Sequence, residues 1–92
     1  MYRLWAKKIK NNNIISSLTI KNNEKISIED KKDKCFKEIC QKFDLSVPLW
    51  LKKHDDEFSQ FKYVIFYPDD FIDDIDFDKL EIDLIDDGTE KK

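Results

Sequence analysis

The spacing of apolar residues changes from two, to about 3.6, and back to two along this chain, and that order limits the fold more than any other feature. In residues 2–10, Tyr2, Leu4 and Ala6 fall on one side of a strand, with Arg3, Trp5, Lys7 and Ile9 on the other. Asn11-Asn12-Asn13 follows, and asparagine tolerates the left-handed backbone that tight hairpins need. Residues 14–21 alternate again, Ile14, Ser16, Leu18 and Ile20 against Ile15, Ser17, Thr19 and Lys21, so a hairpin is predicted over 2–21.

Helical spacing then takes over. Cys35, Phe36, Ile39, Cys40 and Phe43 form one apolar stripe, predicting an amphipathic helix over 31–44 with Asp30 as its N-cap. Pro48 interrupts the pattern and pushes Val47 to extended geometry. A second helix begins at Pro48 or after an extended Pro48–Leu51, and runs to Phe61 with His54, Phe58 and Phe61 along one side. Tyr63–Tyr67 is a strand by its β-branched and aromatic content, and Phe71-Ile72 a short helical turn. Lys79–Ile85 is the clearest strand, with Leu80, Ile82 and Leu84 inward and Lys79, Glu81 and Asp83 outward.

The order ββ-α-α-ββ predicts an α+β domain: an antiparallel sheet of about four strands with two helices packed on one face. Ninety-two residues make one domain, spanning 1–92 with 86–92 as a frayed tail. A domain of this size buries roughly 60–65% of its unfolded surface. The predicted core is Leu4, Leu18, Ile20, Phe36, Ile39, Cys40, Phe43, Val64, Phe66, Phe71, Leu80, Ile82 and Leu84.

Charge divides the chain. Residues 1–53 hold 13 Lys/Arg against 6 Asp/Glu (+7), and residues 54–92 hold 4 against 14 (−10), which sums to the net −3. Ten carboxylates fall within the nineteen residues Asp69 to Asp87: Asp69, Asp70, Asp73, Asp74, Asp76, Asp78, Glu81, Asp83, Asp86 and Asp87. A concentrated field of one sign attracts a partner of the other. This makes Asp69–Asp83 the candidate partner-binding surface, for a protein with a basic face.

Four stretches carry a resemblance. WLKKHDDEFSQF (50–61), FYPDDFIDDIDFDKLEIDL (66–84), RLWAKKIKNNNI (3–14) and EICQKFDLSVP (38–48) resemble a family of small uncharacterised clostridial-type bacterial proteins. The likeness spans most of the chain, and DDFIDDIDFDKLEI from Asp69 to Ile82 is its most specific part. It implies a compact bacterial domain and supplies no substrate, cofactor or partner. This chain is more acidic after Pro68 than the family pattern.

Reactive chemistry finds little support. Asp74-Ile-Asp76-Phe-Asp78 opens like a calcium loop, but Lys79 stands where the turn glycine belongs and Ile85 where the bidentate glutamate belongs. Strand-like alternation would set the three aspartates on one face, where they are solvated unless a cation or a basic partner relieves them. Carboxylates at alternate strand positions lie about 6.6 Å apart, close to phosphate spacing, which raises an alternative: a nucleic-acid mimic that inhibits a DNA- or RNA-handling enzyme.

His54 has no nucleophile beside it in sequence; it caps the second helix, lies on the surface, or makes a pH-sensitive contact. Cys35 and Cys40, five residues apart, are poorly placed for a disulfide and read as small core hydrophobes. Together with an N-terminus lacking an apolar leader segment, they predict a reducing, cytoplasmic setting. Arg3, Lys7, Lys8 and Lys10 beside Tyr2 and Trp5 are read as the lysine protection of an edge strand, not as a direct nucleic-acid site. Trp50 plugs the core or, if exposed, is with His54 the candidate hot spot of an interface. No apolar run reaches the ~20 residues of a membrane helix, and no phosphate loop, nucleophile elbow or zinc spacing is present. The expectation is a non-catalytic bacterial protein-binding module without metal or cofactor, of open oligomeric state. A carboxylate metal-binding protein is the third alternative.

Overall fold

In a computed structural model, residues 2–87 are described and form a four-stranded antiparallel sheet with two helices, an α+β fold. Strands β1 (Tyr2–Lys10) and β2 (Asn13–Asn22) make the predicted hairpin. Asn11 and Asn12 turn it with φ of 53° and 64°, the two positive values that a two-residue turn matched to strand twist requires.

Helix α1 (Ile28–Lys42) starts three residues before the predicted boundary. Its N-cap is Ser27 and not Asp30: the Ser27 hydroxyl accepts the Asp30 N–H at 3.1 Å. Glu29 and Asp30 instead fill the first turn, where the helix dipole favours negative charge. The chain has no regular secondary structure from Ser46 to Leu51, then forms α2 (Lys52–Phe61), β3 (Tyr63–Phe66), a 3₁₀ turn at Pro68–Asp70 and β4 (Lys79–Asp87). The short helical turn thus lies at Pro68–Asp70 and not at Phe71-Ile72, because proline presets φ at the first position of a turn. Strand β4 also takes in Asp86 and Asp87, which belong to the sheet and not to a frayed end. The remainder of the predicted tail, 88–92, lies outside the described residues.

The strand order is β2-β1-β4-β3. Strand β1 is therefore an interior strand, which corrects the reading of its lysines as edge protection. Register aligns the inward residues in rows. Val64, Ile82, Ala6 and Leu18 form one row, and Leu84, Leu4 and Ile20 the next. The core lies between this face and the helices, around Phe36, Ile39, Cys40, Phe58 and Phe66. Phe36 stacks on Phe66 with centroids 5.3 Å apart. Leu18, Phe43 and Leu84 pack at its margin, half-buried, while Tyr2, Ala6, Cys35, Phe58 and Phe77 join the predicted core.

Candidate partner-binding surface

The acidic segment does not act as one border. Three of its members are consumed by the sheet. Glu81 lies directly across from Lys7, and both Glu81 and Asp83 bind the Lys7 ammonium, at 3.1 Å and 2.7 Å. Burial alone would push the Lys7 ammonium down. The hydrogen bonds and charges of Asp83 and Glu81 outweigh that and hold it above the ordinary lysine range. Asp86 pairs with Arg3 at 3.4 Å. Glu81 and Asp83 are thus half-buried structural partners, which corrects their placement on an outward acidic edge.

Asp70 is also structural. Its carboxylate accepts the Tyr67 N–H at 2.9 Å and lies 3.5 Å from His54 Nε2. His54 is 1% exposed, so it is neither a surface group nor an interface hot spot. Its Nδ1 accepts the Leu51 N–H at 3.0 Å, which closes the start of α2 from the third helical position. An accepting Nδ1 leaves the ring proton on Nε2, facing Asp70. The imidazole also lies 4.5 Å from the Phe66 ring. The helix-capping reading of this residue holds, and the surface reading does not.

Trp50 is half-buried, edge-on to Phe36 at 5.1 Å and to Phe58 at 5.8 Å. The Lys32 ammonium covers it, 4.8 Å from the ring centroid. The indole N–H and Lys32 both donate to Asp55 Oδ1, at 3.2 Å and 3.1 Å. An aromatic covered by the chain's own lysine is a core plug, and the hot-spot reading of Trp50 is corrected accordingly.

The stretch between Phe71 and Asp78 is a loop and not a strand. Alternation survives in it: Ile75 and Phe77 turn inward while Asp74, Asp76 and Asp78 stay exposed. Phe77 anchors the loop by meeting Phe71 edge-on at 6.0 Å. Asp78 is drawn to the hairpin, where its carboxylate accepts the Asn11 N–H and its own N–H donates to the Ile9 carbonyl, both at 2.8 Å. Asp69, Asp74 and Asp76 remain with no hydrogen bond or ion pair among the described residues.

What lies beside these three was not visible in their charge pattern. The irregular 46–51 segment is bonded to the acidic loop at two points. Leu49 N–H donates to the Asp70 carbonyl at 3.4 Å, and the Ser46 hydroxyl bonds the Asp73 carboxylate. These two bonds tie the 46–49 segment to the 70–73 segment. Ile72 is 84% exposed and Leu49 64% exposed, the two most exposed large apolar residues among those described. The two tied segments thus carry both unpaired carboxylates and exposed aliphatic side chains. Leu49 follows a proline and Ile72 sits between acidic pairs, and neither position carries a periodic signal that would mark it as outward.

Elsewhere the chemistry is quiet. Burial pushes the Cys35 and Cys40 thiols up to about 11, with Glu38 adding to the effect at Cys35. Among the described residues no three His, Cys, Asp or Glu side chains converge as metal ligands. No helix among them is long and apolar enough to cross a membrane. Comparison with protein-family models, curated proteins and solved structures finds no match.

Proposed function

We propose that this is a non-catalytic accessory or regulatory module that binds another protein through the surface shared by the 46–51 and 67–76 segments. The observations that carry the reading are the bonds that tie Ser46 and Leu49 to the 70–73 backbone and side chains, and the exposure of Leu49 and Ile72 on these two tied segments, one of which also carries the unpaired Asp69, Asp74 and Asp76. Isolated exposed aliphatics are ordinary on a protein surface, but a group of them rimmed by charge is the composition of a binding patch. The partner that fits has basic groups around an apolar contact. Charge then speeds the encounter, and burial of Leu49 and Ile72 holds the complex.

The mimic of nucleic acid is less well supported. Its spacing argument needed outward carboxylates on β4, and Glu81 and Asp83 are bound to Lys7.

The test is affinity capture from extract of the native cell with three forms of the chain. The unaltered protein retains its partner at low salt. Leu49→Ser/Ile72→Ser and Asp69→Asn/Asp74→Asn/Asp76→Asn each lose it, with thermal melts showing both variants folded. Retention by both variants rejects this surface.

A further inference from the structure

Among the described residues strand β2 ends the sheet, and its outer side carries no strand. Its ten residues, NIISSLTIKN, include one charged side chain, Lys21, and neither proline nor glycine. The chain as a whole is 40% charged. Free edges are ordinarily blunted by brevity, lysines or proline, because their unpaired N–H and C=O groups recruit other strands. The opposite edge is blunted in this way: β3 has four residues, held between Lys62 and Pro68. In β2 the only irregularity is at Ile15, which has no register partner in β1, and from Ser16 to Asn22 the strand is regular. The inward rows that start at Val64 and Leu84 stop at this edge, leaving Leu18 half-buried.

We propose that Ser16–Asn22 pairs antiparallel with the same segment of a second copy, about a two-fold axis at Thr19, joining two sheets into one of eight strands. An axis at Thr19 sets Leu18 against Ile20 of the second copy. Each apolar row then continues into the other molecule. Thr19 meets Thr19, Ser17 meets Lys21, and no like charges oppose each other. Apolar and threonine cross-strand pairs of this kind stabilise sheets. The acidic strand β4 and its copy stand five strand spacings apart, about 24 Å, well beyond the screening length of about 8 Å at physiological salt. The acid of the two molecules therefore does not oppose the pairing. A strand from another protein would satisfy the same backbone groups, but the reciprocal fit of Leu18 with Ile20 is specific to a second copy.

Sedimentation equilibrium on the full chain over a concentration series tests this. The apparent mass is expected to rise from 11.1 kDa toward twice that value. Thr19 is exposed, so Thr19→Lys leaves the monomer fold intact while placing two ammonium groups face to face on the axis. Its mass is expected to stay at that of one chain, with an unchanged circular dichroism spectrum. Independently, Thr19→Cys is expected to form an intermolecular disulfide under mild oxidation, since residues directly opposite have Cβ atoms about 4.5–5.5 Å apart. Ser17→Cys is not, because its two copies are offset by about 13 Å along the strands. A single-chain mass at every concentration, as expected if the edge serves a different protein, contradicts the proposal. So does a dimer that Thr19→Lys leaves intact, or equal crosslinking of the two cysteine variants.

Discussion

Lys7 of the interior strand places its ammonium 2.7 Å from Asp83 on the neighbouring strand, and this pair decides what the acidic half of the chain is free to do. Glu81 completes the site at 3.1 Å. The Lys7 ammonium also lies over the Trp5 ring, 4.2 Å from its centroid. The second Asp83 oxygen, Oδ1, is buried without a hydrogen-bond partner, so the charge of Asp83 rests on Lys7.

Lys7→Met is therefore expected to destabilise the fold by about 1–3 kcal/mol, the cost of leaving buried charged groups without their partner. Denaturant melts measure it. Adding Glu81→Gln and Asp83→Asn to Lys7→Met removes the stranded charges and is expected to recover most of the loss. Full stability in Lys7→Met alone would show that the network is solvated.

The same network sets an alkaline limit. Folding raises the Lys7 pKa, so the native state holds that proton more tightly than the unfolded state does. The stability it contributes is complete below the unfolded lysine value of about 10.4 and is lost as pH rises through the folded value. Melts in that range are expected to fall more steeply for the natural chain than for Lys7→Met.

Asp55 gives the matching acid limit. The Lys32 ammonium, and then the Trp50 indole N–H, bond its carboxylate and hold it below the ordinary range. Its contribution is present above the unfolded value of about 3.9 and is lost as pH falls through the folded value. Asp55→Asn is expected to flatten this part of the acid limb. An unchanged acid limb would remove Asp55 from the account.

Thiol reagents report the core directly. With both thiols pushed up to about 11, the neutral-pH thiolate fraction is roughly a hundredfold below that of an unperturbed cysteine. Labelling is expected to be slow in the native protein and fast in denaturant. Rapid native labelling would mean that α1 opens away from the sheet.

Helix α2 ends on Lys62 in the left-handed region, φ 65°. A Cβ there costs roughly 1–2 kcal/mol, partly offset by the lower chain entropy of a non-glycine residue. Lys62→Gly is expected to raise stability by about 1 kcal/mol in a denaturant melt. A decrease would show that the Lys62 side chain matters more than its backbone strain.

The sheet was readable because alternation at Tyr2–Ala6 and Leu80–Leu84 directly encodes a half-buried strand, and the Cys35–Phe43 stripe does the same for α1. The order of strands was not readable. Nothing local says that β1 sits between β2 and β4, and this is why Lys7 looked like edge protection and Asp83 like free surface. Sequence alone leaves the burial of His54 and Trp50 open for a related reason: Phe36, Phe66 and Asp70, which enclose or bond them, are distant in sequence. The link between the 46–51 and 67–76 segments was not readable either, because it depends on two loops meeting through the Leu49–Asp70 backbone bond.

Hydrogen exchange of the chain alone and in complex with its captured protein tests the binding surface most directly. Slowed exchange concentrated at 46–51 and 67–76 is the expected result. Protection confined to other parts of the chain, with these two segments exchanging as they do alone, would contradict the account.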